Sequence, residues 1–262
     1  MKIIAPPSYP EVDLVLAAMV PGLADLLAGD LIGIYIYGSL AYGGFDLHSD
    51  VDVLVVPREP IPVELFPALQ VLHTRVAALP VWCATQLEVT YIHLSALRRY
   101  DPADCCHPYL GRNPGAHLKL VSFGPEWVVQ RCLLRERGII LLGPNPRTLI
   151  DPVTPDDLRH AMRLLLDGRL AGLVQDPSGI DTRGYQSYCV LTVCRVLRTI
   201  QYGDVLSKPA AAAWAKTSLD PRWTPLIERA ILSRQSPHGP PDPDEVRQTL
   251  AFIGYALERS RC

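Results

Sequence analysis

The segment Tyr37-Gly38-Ser39-Leu40-Ala41-Tyr42-Gly43-Gly44-Phe45-Asp46-Leu47-His48-Ser49-Asp50-Val51-Asp52 constrains this chain more than any other. An apolar run, Leu31 to Tyr37, leads into it, and a second, Val51 to Val56, leads out of it. Both runs are short and rich in β-branched or aromatic residues, the composition of strands. The connection between them is rich in Gly and Ser and reads as a loop. The second strand opens on Asp50 and Asp52, which a period of two places on one face. Two carboxylates held side by side repel each other. A bound cation relieves that, and oxygen-only ligands favour Mg²⁺ or Mn²⁺. Gly38 can adopt φ > 0 and lets backbone approach a ligand closely. The N–H groups around Gly38 and Ser39 can form an anion nest, to which Ser39 adds a hydroxyl. One short segment thus offers phosphate donors beside a metal-binding pair, the equipment for a metal–nucleoside triphosphate.

Gly-Ser, a spacer from Leu40 to Ser49, then Asp-x-Asp in a strand resembles the signature of the nucleotidyltransferase superfamily. A further carboxylate, Glu88, lies in the alternating stretch Gln86 to Leu94. A carboxylate inside an otherwise apolar strand is costly without a partner. The Asp50/Asp52 pair supplies one if this strand lies beside residues 51–56. Alternation alone also allows Gln86, Glu88 and Thr90 to form a solvated face. In the first arrangement Glu88 is a third metal ligand or a general base toward an attacking hydroxyl. Ser49, just before Asp50, is placed to donate to a phosphate oxygen.

With 262 residues the chain is long enough for two domains, and 48% hydrophobic residues suffice for a packed core. The net charge of −2 gives no global field for nucleic acid or an anionic membrane, so neither is an expected partner. No stretch is expected to reach the roughly 20 apolar residues that span a bilayer. Met1 to Pro7 has no apolar core of signal-peptide length. Seven cysteines, Cys83, Cys105, Cys106, Cys132, Cys189, Cys194 and Cys262, are odd in number and irregular in spacing. That pattern predicts reduced thiols in a cytoplasmic protein. Cys105-Cys106-His107 lacks paired Cys-x-x-Cys spacing and is read as ordinary thiols rather than a zinc site.

Helical spacing covers Glu11 to Leu27, with a kink expected near Pro21, and Val63 to Ala78, where His73 is read as a packing or surface residue. Tyr100 to Lys119 has no period and reads as a loop bordering the site. Glu126 to Arg137 reads as a helix and Ile139 to Leu142 as a strand. Thr154-Pro155-Asp156-Asp157 is an N-cap, a proline at N1 and an acidic first turn. Helices are expected over Pro155–Asp167, Gly184–Tyr202, Ser207–Thr217, Pro221–Arg234 and Asp244–Arg261, with a Pro-rich link from Ser236 to Pro243. The fold class is α+β, with residues 1–150 as one domain and 151–262 as a C-terminal α-helical bundle.

Two cations in the second half call for anions. Arg195 lies on an apolar helix, where it is expensive unless paired. Lys208 lies at a helix start, against the macrodipole, and a bound phosphate would reverse that cost. The runs Leu87-Glu88-Val89-Thr90, Leu142-Gly143-Pro144, Asp151-Pro152-Val153, Val190 to Arg195 and Ser207 to Ala215 resemble the aminoglycoside adenylyltransferases that modify streptomycin and spectinomycin. The resemblance implies a nucleotidyltransferase domain with a mixed sheet and flanking helices, a helical C-terminal domain, and ATP and drug held between them. It implies Asp50 and Asp52 as Mg²⁺ ligands and Glu88 as catalytic base and further ligand. It implies Gly38, Ser39, Ser49, Arg195 and Lys208 as nucleotide contacts, with Glu126 where the family has an Asp. The expected partners are ATP and a small-molecule acceptor of the aminoglycoside type, acting on a monomer. Where the family presents a Trp and acidic residues to a cationic drug, this chain has Asp176 to Tyr188, with Tyr185 in place of an Asp and no Trp. Two other readings are a different acceptor, either small molecule or protein side chain, and a non-catalytic nucleotide-binding regulator or antitoxin-like module.

Overall fold

A computed structural model of the chain describes residues 9–46, 49–112, 115–234, 237 and 239–261. The leader reading at Met1–Pro7, the spacer residues Leu47 and His48, Ser236 of the link and Cys262 lie outside the described residues. The chain divides into two compact units, Met1–Pro152 and Val153–Cys262.

The first unit is a six-stranded mixed sheet with helices on both faces. Its strands are β1 (Leu31–Ile36), β2 (Val51–Pro57), β3 (Leu87–Tyr91), β4 (Cys106–Leu110), β5 (Lys119–Ser122) and β6 (Ile139–Leu142). They lie in the order β5-β4-β3-β2-β1-β6. Only the β2–β3 pair is parallel among the described strands, and its crossover runs through helix α3 (Phe66–Ala77). Alternation divides the side chains between two cores. Ile34, Ile36, Val53, Val55, Val89 and Tyr91 pack on one face with α1 (Pro10–Leu27) and α3. Tyr35, Tyr37, Leu54, Val56 and Ile92 pack on the other, with Leu97 of α4 (Leu94–Arg98), Trp127 of α5 (Glu126–Arg137) and Leu149 of α6 (Pro146–Leu149).

Two sequence-based expectations need correction here. Pro10–Asp30 is long and apolar enough to cross a membrane, with a mean hydropathy of 1.7. In this structure α1 puts Val12, Val15, Leu16, Met19, Leu23 and Leu27 into the first core, and Pro21 sits inside the unbroken helix. Tyr100 to Lys119 is not a loop throughout, because β4 lies between β3 and β5. Its sequence Cys-His-Pro-Tyr-Leu has no β-branched residue and a proline that cannot donate to a ladder. Pairing with both neighbours creates this strand; local propensity does not.

The second unit is all helical: α7 (Pro155–Leu165), α8 (Ala171–Gln175), α9 (Arg183–Tyr202), α10 (Lys208–Ser218), α11 (Thr224–Ser233) and α12 (Pro243–Arg259). Thr154 and Asp157 form a reciprocal capping box at the start of α7. The expected end of this helix at Asp167 is not a stop. A π-helical turn over Leu166–Leu170 joins α7 to α8 and keeps Leu166 and Leu170 buried. The central helix α9 buries 11 residues and is packed by α7, α10, α11 and α12. Gly203, at φ 71°, closes it in the left-handed conformation.

His73 pins the crossover helix to the sheet. It is buried on α3, its Nε2 lies 2.5 Å from the Tyr91 hydroxyl on β3, and burial lowers its pKa from 6.5 to about 4. The unfolded chain therefore binds a proton between pH 6.5 and 4 that the folded chain refuses. Stability from this group is complete above the ordinary value and is lost as pH falls through that window, by up to about 3 kcal/mol. Urea unfolding at about pH 7, 5.5 and 4.5 should show a steeper acid loss in the native chain than in His73→Gln. Parallel curves would remove His73 as the cause.

Candidate active site

The parallel register of β2 and β3 pairs Asp52 with Glu88. Paired positions on neighbouring strands point to the same face, so these two carboxylates share the face that holds Leu54, Thr90 and Tyr37. The solvated alternative for Glu88 therefore does not describe this sheet, since Thr90, next on its face, is fully buried. Asp50 lies one residue before β2, not inside it.

Gly38 follows β1 directly at φ +64°, and a Cβ added there would overlap the Asp52 carboxylate. The close backbone approach that glycine permits is thus made to Asp52 itself. The Gly-Ser connection, expected as a loop, opens with one helical turn, α2 (Gly38–Tyr42), closed by Gly43 at φ +101°. The first N–H groups of such a turn have no acceptor within it. Tyr37, just before it, donates its backbone N–H to the Asp52 carbonyl at 3.0 Å. These bonds seat Ser39 and the turn beside the carboxylate end of β2.

Two residues outside the sequence-based set join the carboxylates. Arg112 forms an ion pair with Asp50. Burial, the largest single influence, would lower its pKa, but the Asp50 charge, the bond to Asp50 and the Glu88 charge together hold it above its ordinary value. Tyr109 sits on β4 opposite Thr90 and hydrogen-bonds the Glu88 side chain. Burial first, then the Glu88 charge and this bond, raises its pKa well above the ordinary range. Tyr37 is raised likewise, by burial and then by Asp52. Both phenols stay protonated at neutral pH and act as donors. A cation and an aromatic inside the stretch bordering the site were the available signals. They were submerged because β4 was not read as a strand.

Ser49 is buried, and its hydroxyl donates to Asp46 Oδ1 at 2.9 Å while accepting the Asp46 N–H at 3.0 Å. Its proton is engaged in the turn that presents Asp50. Glu126 opens α5 and accepts the Gly124 N–H at 3.3 Å. Because α5 packs against α2, this places Glu126 on the helix neighbouring the Gly38 turn.

Asp50, Asp52 and Glu88 offer hard carboxylate oxygens on adjacent backbone positions, a donor set that fits Mg²⁺. Arg112 and Tyr109 already complement that negative charge, which is the same requirement a bound cation would meet.

Arg195 and Lys208 belong to the second unit, on the mutually packed α9 and α10. Lys208 opens α10 after the Ser207 cap, and its ammonium lies 5.2 Å from the centre of the Tyr188 ring. Tyr185 and Tyr188 stack at 5.7 Å, and the Arg169 guanidinium lies within 6 Å of both rings. Asp176 caps Ser178 by accepting its N–H at 3.0 Å.

The family described as aminoglycoside adenylyltransferase, C-terminal domain, matches residues 148–258. The spectinomycin 9-adenylyltransferase of Staphylococcus aureus is 26% identical over 215 residues, covering 79% of this chain and 78% of that protein. The aminoglycoside (3'') (9) adenylyltransferase of Shigella flexneri is 28% identical over 228 residues, covering 84% of each. Over most of its length the chain is thus similar to aminoglycoside adenylyltransferases. Among solved structures, the spectinomycin adenyltransferase AAD(9) from Enterococcus faecialis, crystallised with ATP and spectinomycin, has the same fold. It superposes with a TM-score of 0.73 at 17% identity, covering 94% of this chain and 99% of that one.

Gly38→Ala tests the packing of the turn on Asp52. A Cβ at this φ and against this carboxylate should destabilise the chain by on the order of 1–3 kcal/mol. A thermal melt with and without Mg²⁺–ATP should show both a lower midpoint and at least tenfold weaker nucleotide binding. An unaltered midpoint would mean that the turn is not held against Asp52.

Proposed function

We propose that this chain is a nucleotidyltransferase that moves AMP from ATP to a hydroxyl of an aminoglycoside-type antibiotic and releases pyrophosphate. The observation that carries the reading is the juxtaposition of Asp52 and Glu88 across a parallel strand pair, with the Gly38 turn packed on Asp52. A phosphate site and a carboxylate site then share one sheet end.

The chemistry is a displacement at the α-phosphorus. A bond forms from the acceptor oxygen to phosphorus, the bond to the β-phosphate bridge breaks, and the acceptor's proton goes to Glu88. Tyr109 donates to Glu88 and fixes which carboxylate oxygen faces the hydroxyl. Asp50, Asp52 and Glu88 are the residues that would hold Mg²⁺, which supplies charge neutralisation at the reacting phosphate. Backbone N–H groups of the Gly38–Ser39 turn donate to phosphate oxygens. Ser49 holds the Asp50 turn in shape through Asp46 and is the family's further nucleotide contact. Arg195 and Lys208 are assigned to the nucleotide phosphates, and Glu126 to the nucleotide, by the resemblance of their segments. ATP as donor fits a cytoplasmic enzyme acting as a monomer.

The acceptor is the finer part of the proposal. The names of the relatives, spectinomycin and aminoglycoside adenylyltransferases, support the class. The segment Asp176–Tyr188 offers a stacked tyrosine pair beside Arg169 and Lys208 instead of a tryptophan with acidic neighbours. Pyrophosphate release should be measured with Mg²⁺–ATP across an aminoglycoside panel. Turnover with spectinomycin or streptomycin is the expected result. ATP binding with no release for any acceptor would overturn the transferase reading in favour of a nucleotide-binding module.

Glu88→Gln separates binding from chemistry. ATP affinity by calorimetry should change by no more than a few-fold, while transfer falls by roughly 10²–10⁴-fold, the usual worth of a general base. Unchanged turnover would take Glu88 out of the mechanism.

A further inference from the structure

Three potential ligands converge at the other end of β3 from Glu88. His93 follows β3, Asp104 ends the turn before β4, and His107 lies on β4. One ligand atom from each lies within 4.8 Å of the others. His93 lies five residue steps beyond Glu88, roughly 16 Å along an extended chain. This is a second cluster, outside the Asp50–Asp52–Glu88 set.

Each ligand is held from behind. His93 Nδ1 meets Ser95 Oγ at 3.0 Å, which turns Nε2 toward Asp104, 3.4 Å away. His107 is buried, stacks on Phe123 and hydrogen-bonds the Asp104 backbone. Its Nε2 is buried and has no hydrogen-bond partner among the described residues. An orphaned buried imidazole nitrogen in a protein core calls for an occupant. The Asp104 turn is ordered by its own bonds: Asp101 Oδ1 accepts from Ala103 N–H at 2.8 Å, and the Asp101 carbonyl accepts from Asp104 N–H at 3.1 Å. Asp104 is about half exposed, leaving a route from solvent.

We infer that His93, Asp104 and His107 form a binding site for a transition-metal dication of the Zn²⁺ class. Two imidazoles and a carboxylate suit zinc, with water as a fourth ligand. At zinc bond lengths of about 2.0–2.1 Å, tetrahedral ligand atoms stand roughly 3.4 Å apart. The His93–Asp104 separation of 3.4 Å already matches that edge. The remaining ligand-atom separations, all within 4.8 Å, need to shorten by no more than about 1.4 Å to reach that edge. The Ser95 and Asp104-backbone contacts are the outer hydrogen bonds that orient metal-bound histidines. Arg131 opposes a dication here, since its charge reaches His107, but its guanidinium is bonded to the Ala96 and Leu97 carbonyls and Asp104 offsets it. Bound metal would clamp the 101–105 turn to the sheet and so stabilise this region.

The test uses the full, untagged, reduced chain stripped with a chelator and titrated with Zn²⁺ or Co²⁺ in the absence of ATP. One equivalent should bind at the cluster, Co²⁺ should give the visible absorption of a tetrahedral site, and Zn²⁺ should raise the melting midpoint by roughly 5 °C. Asp104→Asn, at an exposed position, should abolish all three signals, as should His107→Gln. The Asp50→Asn/Asp52→Asn and Cys105→Ser/Cys106→Ser double variants should retain them. The inference is overturned if the native chain binds no equivalent at tenfold excess Zn²⁺. It is also overturned if binding survives Asp104→Asn, or if it is lost with either double variant.

Discussion

The parallel pairing of β2 with β3 is the constraint on which the first unit depends. In this register Asp52 faces Glu88, while Val53 and Val89 point to the opposite core. A slip of one residue would send Glu88 into that core and bring Val89 to the carboxylate face. Burying an unpaired carboxylate among Ile34, Ile36, Val53 and Val55 costs far more than any local rearrangement recovers. The apolar residues Leu87, Val89 and Tyr91 therefore fix where the Glu88 side chain points, and the His73–Tyr91 contact ties the crossover helix to the same register.

A site of three acidic groups at the end of a buried sheet is a local instability, and the surrounding structure offsets it. Arg112 meets Asp50, Tyr109 meets Glu88, and the Tyr37 backbone meets the Asp52 carbonyl. Each partner is delivered by a different element: the segment after β4, β4 itself, and the end of β1. Folding thus holds the like charges together and meets their repulsion through protein partners. Gly38 completes the arrangement from the backbone side, since any side chain there would overlap Asp52.

Strand-like runs with β-branched residues, such as Leu31–Ile36 and Val51–Val56, and capped helices, such as the one begun by Thr154-Pro155, were legible because local preference and tertiary role agree. The mixed sheet and helical second half likewise match the α+β expectation. What escaped was built by contact. The strand β4 contains Pro108 and no β-branched residue, so only its neighbours make it a strand, and Tyr109 and Arg112 were hidden with it. Helix α1 was legible from its spacing as an amphipathic helix, and it packs one face into the first core, but its apolar character extends beyond that face and gives it the composition of a span-length segment. The carboxylate spacing Asp50-x-Asp52 was visible in the sequence. Its partnership with Glu88 was legible only as a condition, that the two strands lie side by side, because register is a property of two strands and the sequence displays one at a time.

The helical unit shows why acceptor chemistry is harder to read than donor chemistry. Phosphate and magnesium recognition uses backbone amides and carboxylates in fixed geometry, so it leaves a sequence spacing. Recognition of a polyhydroxylated acceptor uses side chains gathered from several helices. The aromatic–cation cluster of the helical unit is gathered in the same way, with Arg169 from the π-helical turn, Tyr185 and Tyr188 from α9, and Lys208 from α10, so no spacing in the sequence announces it. The stacked rings give both cations an aromatic face, an attraction of about 0.5–2 kcal/mol for each such contact. That cluster keeps the charges of Arg169 and Lys208 on the faces of two stacked rings and contains no tryptophan, an arrangement set by the packing of three elements and not by a motif.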